Sequence, residues 1–297
     1  MEIALIEEVR RRAVRRVLSL RRPATAAPRG FTGRRALVTG ASNGIGLEIA
    51  RHLTDSGAHV VNLDIEPPAL HEPGIEHVDG DVATFDFGSL EPFDLIVANA
   101  GTADSSPNGE LGDGAIARLV NANVVGAART LGAPKTDDAR LVIVSSASAV
   151  SPFPEGAVYA ATKAAAMHLG YTFARLHPTT VALVGLTRTR LFEHRDIFHS
   201  RLPAPMAPDV TDPVVVAGKI LHAVEQGIPL LVTHGSIPPH IRTYCAWMLD
   251  ATLIDETQLS RSRQGARKRR RLRALTVGAP IVACCDVLAT AGITIPA

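Results

Sequence analysis

Three residues have types and a spacing suited to proton transfer: Ser146, Tyr159 and Lys163. Tyr159 and Lys163 stand four apart, so on a helix they share a face. A lysine beside a tyrosine favours the phenolate and brings its pKa toward the working range of an acid/base catalyst. Ser146 follows the strand expected at 140–144 and falls at its C-terminal end, where parallel sheets bind ligands. Its hydroxyl can donate to a carbonyl oxygen. Taken singly, each has an ordinary reading: a loop serine, a half-buried helical tyrosine, a solvated lysine. Taken with a phosphate-binding turn elsewhere in the chain, the three read as a site.

That turn lies at 39–46. Ala36, Leu37 and Val38 suit an interior parallel strand, Gly40, Gly44 and Gly46 follow as GxxxGxG, and Leu47, Ile49, Ala50 and Leu53 recur with helical period. Glycines let the backbone approach a pyrophosphate, and a helix N-terminus offers N–H groups and the positive end of its dipole. A lone glycine pattern is weak evidence; here it has the strand–turn–helix setting it needs. Asp64 stands 18 residues beyond Gly46, at the end of a second apolar run. An acid there accepts the hydroxyls of an adenosine ribose and repels a 2′-phosphate, which favours NAD. Arg35 and Asn43 neighbour the turn in sequence and keep NADP open, since a basic residue near the turn can hold that phosphate.

The elements that must position these groups alternate. Strands are expected at 36–38, 58–63, 76–78, 94–98, 140–144, 181–184 and 229–232, and helices from 44, over 115–131, over 158–176 and over 213–226. Prolines 67, 68 and 73 argue against a full helix between the second and third strands. The rhythm predicts an α/β fold: a Rossmann-like, doubly wound parallel sheet of about seven strands with helices on both faces. A Rossmann-fold catalytic domain over 33–250 is expected between an arm at 1–32 and an extension at 251–297.

Together these segments resemble the short-chain dehydrogenase/reductase family, over about residues 33–235. Residues 39–46 match its TGxxxGIG, Asn99-Ala100-Gly101 its NAG, and Tyr159-Ala160-Ala161-Thr162-Lys163 its YxxxK, with Ser146 thirteen residues before the tyrosine. Asn123-Val124-Val125-Gly126 matches the segment bearing the family's active-site Asn, and Asp81-Val82 its adenine-contacting pair. The resemblance implies an NAD(P)-dependent oxidoreductase that interconverts a secondary alcohol and a ketone. Tyr159 is then the general acid/base, Lys163 holds the nicotinamide ribose and depresses the Tyr pKa, Ser146 polarises the substrate oxygen, and Asn123 holds a water that relays protons. Gly40, Ser42, Asn43, Gly44, Ile45, Gly46, Asp64, Asp81, Val82, Asn99, Ala100, Gly101, Gly185 and Thr189 are the implied cofactor contacts beside Tyr159 and Lys163. The family's Pro-Gly after the sixth strand is Val184-Gly185 here, which predicts a looser nicotinamide-side loop and a weaker contact through Thr189.

The family dimerises or tetramerises through the Tyr-bearing helix and the one before it. Ala160, Ala161, Ala164, Ala165, Ala166 and Gly170 fit that use, and they also fit close packing on the sheet. An NADP(H)-dependent ketoreductase of lipid or secondary metabolism is the alternative activity. A dinucleotide-sensing module is the alternative outside enzymes, and the intact Ser146/Tyr159/Lys163 set counts against it. Residues 148–156 and 191–210 are expected to meet the small carbonyl or alcohol substrate, with Leu191, Phe192, Ile197, Phe198 and Leu202 offering an apolar lining.

Charge is uneven. Residues 1–35 carry ten Arg against three Glu, and residues 261–273 carry seven Arg and one Lys with no acid, so the body between them is strongly acidic within a total of +2. The first basic segment has amphipathic helical spacing over 1–22, and the last precedes an apolar stretch at 274–297 that contains Asp286 and two prolines. These ends are expected to fold onto an acidic body, with peripheral contact to an anionic membrane as the competing outcome. They lack interleaved aromatics, which argues against specific nucleic-acid binding. Cys245, Cys284 and Cys285 make neither a disulfide framework nor a metal site, no secretory signal is visible, and a cytoplasmic setting is expected.

Overall fold

The computed structural model describes residues 30–68, 72–106, 109–151, 153–193, 210–235 and 237–238. The expectations for the basic ends, for the boundary at 250, for the three cysteines and for most of 191–210 lie outside the described residues.

Seven strands form one sheet: β1 (Arg35–Thr39), β2 (His59–Asp64), β3 (Ile75–Asp79), β4 (Phe93–Ala98), β5 (Lys135–Ser146), β6 (Thr179–Val184) and β7 (Leu230–Val232). Their order is β3-β2-β1-β4-β5-β6-β7, and every neighbouring pair is parallel. The chain runs outward from β1 to β3, crosses back, and runs outward again from β4 to β7. That is the doubly wound topology expected, with its switch point between β1 and β4. In sheets of this topology ligands bind at that point, beyond the carboxyl ends of the strands.

The helices are α1 (Gly44–Asp55), α2 (Asp113–Val120), α3 (Ala127–Leu131), α4 (Ala157–Phe173), α5 (Arg190–Glu193) and α6 (Pro213–Glu225). Alternate residues of each buried strand face opposite layers. Ala36 and Val38 of β1 join Ile49, Ala50 and Leu53 of α1 and Val216, Ala217 and Ile220 of α6 in one core. Leu37, Ile96, Leu141 and Ile143 are buried as well, on the opposite strand phase. Burying each such Leu or Ile contributes about 1.5–3 kcal/mol before conformational entropy. On α4, a Cβ at Gly170 would overlap Ile143 and meet Val181 at 2.7 Å. At least this part of the helix's small-residue pattern serves close packing on the sheet.

Two elements depart from the sequence expectation. The helix expected over 115–131 is interrupted by a π-helical turn at Asn121–Gly126, which turns Asn123 inward to 1% exposure. Its last residue must be small, because a Cβ at Gly126 would overlap the Val82 side chain. β5 begins five residues before the expected strand, in the polar stretch 135–139, and reaches Phe93 of β4 through a register shift between Phe93 and Leu95. Between β2 and β4 the described residues hold no helix beyond a single 3-10 turn at Phe87–Ser89. The prolines already argued against a helix there. No helix among the described residues is long and apolar enough to cross a membrane.

Candidate active site

The glycine turn joins β1 to α1 at the switch point. Its first three N–H groups are bound to β2: Gly40 N donates to Leu63 O (2.9 Å), Ala41 N to Asn62 Oδ1 (2.9 Å) and Ser42 N to Asp64 Oδ2 (3.0 Å). The groups that follow open α1 and have no intrahelical acceptor, and Asn43 caps the helix without a side-chain bond to it. Gly40 (φ +70°) and Gly44 (φ +60°) take left-handed conformations that a side chain would strain. A Cβ at Gly40 would come within 2.7 Å of Ala100 Cα, and one at Gly46 would overlap Gly40 O and Asn99 Nδ2. Asn99 locks the turn from β4 by donating through Nδ2 to Thr39 O and Gly40 O, each at 3.0 Å. Thr39 Oγ1 accepts from both Asn99 N and Ala100 N at 3.2 Å.

Asp64 ends β2 beside this turn, 9% exposed. Each carboxylate oxygen accepts one backbone N–H, Oδ2 from Ser42 and Oδ1 from Glu66 (3.1 Å), which leaves lone pairs for further donors. Arg35 is nowhere near it. The residue starts β1, so a five-residue strand, roughly 16 Å long, separates it from the turn. Its guanidinium lies 5.0 Å from the Phe93 ring centroid, and its N–H donates to Asp94 Oδ2 (2.9 Å). Burial opposes ionisation of Asp94, but the Arg35 N–H and the Arg34 guanidinium hold its pKa below the usual range. Sequence proximity therefore misplaced Arg35, which cannot reach a ribose 2′-phosphate. Among the described residues a cation does stand at this edge, Arg190 of α5, whose guanidinium is 3.6 Å from Glu66 Oε2, two residues past Asp64. Asp81 is exposed and accepts from Ala83 N (2.8 Å), while Val82 is buried against Gly126.

Across the cleft, α4 carries Tyr159 and Lys163. Lys163 is 6% exposed; its Nζ donates to Val144 O (3.2 Å) and lies 5.9 Å from the Tyr159 ring centroid. Desolvation lowers its pKa from 10.5 to about 8. The helix is anchored to β5 by Ser145 Oγ, which donates to Lys163 O (2.7 Å). Gly101 fits between two groups of the site: its Cβ would stand 2.8 Å from Asn123 Oδ1 and 3.2 Å from Lys163 Nζ. Asn123 accepts from Thr102 N (2.8 Å) and donates to Thr102 O (2.8 Å) and Thr162 Oγ1 (2.9 Å). Thr162 Oγ1 in turn donates to the main-chain carbonyl of Tyr159 (2.8 Å). The π-turn thus ties the residues after β4 to the Tyr-bearing helix.

Ser146 Oγ accepts twice, from Ser148 N (3.2 Å) and Ser148 Oγ (2.7 Å). A hydroxyl that accepts both of these bonds keeps its own proton for an outside oxygen. Ser148 opens the segment expected to meet substrate and Thr162 lies inside the YxxxK match; the supporting bonds each makes to its motif are visible only in the structure.

The segment after β6 forms the remaining wall. Thr189 Cγ2 lies 3.2 Å from where a Cβ of Gly44 would be, so this segment touches the glycine turn. The missing proline at 184 predicted a loose segment here. The structure instead ties it from outside. Gly185 N donates to Thr233 Oγ1 (3.2 Å) and His234 Nδ1 (3.1 Å), Thr211 N donates to Leu186 O (3.0 Å), and Arg188 N donates to Thr211 O (3.0 Å). His234 has no motif in sequence to reveal it. Two features suit a dinucleotide: a cradle that a Cβ at 40, 44 or 46 would fill or strain, and a carboxylate with spare lone pairs at its edge. Among the described residues no cluster of His, Cys, Asp or Glu has metal-binding geometry.

Comparison with known proteins finds the same pattern. The sequence profile of the family described as short chain dehydrogenase matches residues 34–193. D-erythrulose reductase of Gallus gallus is 36% identical over 152 residues, 46% of this chain and 61% of that protein. Carbonyl reductase [NADPH] 2 of Sus scrofa is 40% identical over 87 residues, 26% of this chain and 36% of that protein. These matches thus cover less than two thirds of either relative. A 3-ketoacyl-(acyl-carrier-protein) reductase from Brucella melitensis, solved in complex with NADH, superposes with a TM-score of 0.57 at 20% identity, covering 68% of this chain and 97% of that one.

Proposed function

The chain belongs to the short-chain dehydrogenase family, and on that premise we propose that it interconverts a secondary alcohol and a ketone using NAD(H), in the cytoplasm, with Tyr159 as proton carrier. The observation that carries this reading is the Tyr159–Lys163 pair. A lysine buried by the fold, with its pKa drawn down to about 8, still carries a proton at neutral pH, and it lies beside the tyrosine ring. Its charge stabilises a phenolate at Tyr159, so the hydroxyl releases its proton to a carbonyl oxygen more readily and can take one back in oxidation.

Ser146 donates to the same substrate oxygen, its proton left available by Ser148. Asn123 has both side-chain donors committed to Thr102 and Thr162, so a relay past it uses the second lone pair of Oδ1 or its main-chain carbonyl. Residues 43–46 and Asp64 would hold a pyrophosphate and an adenosine ribose, and Lys163 and Thr189 the nicotinamide half. NAD(H) supplies the hydride donor or acceptor for the carbon that changes oxidation state.

NADPH is the second reading, favoured by Arg190 at the ribose edge and by the cofactor named for the pig relative. Titration of the purified protein with NADH and NADPH, beside native mass spectrometry of what co-purifies, tests both. NADH is expected to bind tighter; failure to bind either refutes the proposal. Small hydroxy-ketones, of the kind named for the chicken relative, are the first substrates to screen. A homodimer or homotetramer is proposed from the exposed apolar residues Val120, Val125, Tyr171 and Leu176. A monomer by light scattering would refute it.

A further inference from the structure

His234 is 4% exposed and lies just past β7, far in sequence from the rest of the cleft. Its hydrogen bonds fix its proton. Nδ1 faces the Gly185 N–H at 3.1 Å and can only accept from it, so the proton of a neutral ring sits on Nε2, which donates to Leu186 O at 2.9 Å. Thr233 Oγ1 lies 2.6 Å from Nδ1 on the same side, accepts from the same Gly185 N–H at 3.2 Å and donates to Leu183 O at 3.3 Å. The ring therefore grips the peptide groups on either side of the Gly185–Leu186 pair, through the N–H of Gly185 and the carbonyl of Leu186. It does so at van der Waals contact: a Cβ at Gly185 would overlap the ring.

The grip continues along the segment. Leu186 O has its other lone pair filled by Thr211 N, and Thr187 Oγ1 donates to Gly185 O (3.1 Å). Two residues later Thr189 packs its methyl on Gly44 at the head of α1. Each link is short, so the placement of Thr189 depends on where 185 and 186 are held.

We infer that His234 is a positioning residue for the nicotinamide side of the cleft: by binding Gly185 and Leu186 it fixes the 185–189 segment, a task that resembling proteins give to a proline at 184. This rests on the dinucleotide reading above. His234 touches no reacting atom; it acts through Thr189 and its neighbours. Glycine at 185 and histidine at 234 form one device, since the ring fits only where Cβ is absent.

The test compares NADH with ADP-ribose, which keeps the adenosine and pyrophosphate and lacks the nicotinamide. Binding of each is titrated in wild type, His234→Ala and His234→Gln. A glutamine amide can still donate to Leu186 O but loses the ring acceptor for Gly185. His234→Ala is expected to weaken NADH by about tenfold, near 1.4 kcal/mol, with ADP-ribose within about twofold of wild type. His234→Gln is expected to fall between, and it decides the question alone if the alanine variant does not fold. Parallel loss of both ligands means a general structural role and overturns the inference, as does an unchanged ratio of the two affinities. Wild-type protein that binds neither ligand overturns the dinucleotide reading, and the positioning role with it.

Discussion

The two walls of the cleft are built in different ways. The glycine-turn wall rests on missing side chains: a Cβ at Gly40 would run into the Ala100 backbone and one at Gly46 into Gly40 O and Asn99 Nδ2, while β2 binds the first three N–H groups through Leu63 O, Asn62 and Asp64. The wall after β6 is backbone held by side chains, with Gly185 and Leu186 bound by Thr233 and His234. A wall of the first kind tolerates no change of residue type and leaves a fixed signature in the sequence. A wall of the second kind can be held by different means, and here a distant histidine stands where a proline is usual.

The largest expected effect breaks the first wall. In Gly46→Ala the new Cβ meets Gly40 O and Asn99 Nδ2, a carbonyl of the turn and the amide that locks it, so NADH affinity is expected to fall at least ~100-fold, near 2.7 kcal/mol. In Gly185→Ala the obstacle is a side-chain ring, and a smaller loss is expected. Titration of both variants ranks them; a larger loss in Gly185→Ala would reverse the comparison.

Next is the buried lysine of α4. The folded pKa of Lys163 is about 8 against an ordinary 10.5, so below pH 8 the cost of burying its charge is fully present. Between about pH 8 and 10.5 the unfolded chain holds a proton that the folded chain has shed, and stability rises with pH. Lys163→Met removes that cost. The apo variant is expected to be more stable than wild type at pH 7, on the order of 2 kcal/mol, with the gap closing by pH 10 in urea titrations. Turnover is expected to be lost at either pH.

Smaller effects sharpen the reading of each side. Asp64→Ala is expected to narrow the preference for NADH over NADPH by about tenfold, the worth of one like-charge contact, as read by paired titrations. Equal affinities already in wild type would show that Arg190, not Asp64, governs this edge. Ser148→Ala leaves the Ser146 hydroxyl free to turn, and a roughly threefold fall in kcat with KM for NADH unchanged is expected, about 0.7 kcal/mol.

The same contrast explains what was legible in the sequence. β1, β2, β4 and β6 are short apolar runs bounded by turns, so burial alone announces them. The Ser146, Tyr159 and Lys163 set is legible because helix and strand geometry convert its spacing into a shared face. The π-turn at Asn121–Gly126 is not, because its sequence is compatible with an ordinary helix; the packing of Val82 on Gly126 and the bonds of Asn123 accompany the extra residue in the turn. His234 is hidden for a related reason: its partners lie 48 and 49 residues away, and no local pattern links them. Arg35 misled because nearness in sequence was read as nearness in space, although a strand carries it to the opposite end of the sheet.

The central claim is that Tyr159 moves the proton in a dinucleotide-dependent reaction. Its most direct test is NADH consumption with a hydroxy-ketone substrate by wild type and Tyr159→Phe, at saturating NADH. The account predicts a fall in turnover of at least ~100-fold, with NADH affinity unchanged because the ring and Lys163 remain. Wild-type turnover in Tyr159→Phe would contradict it and place the chemistry elsewhere.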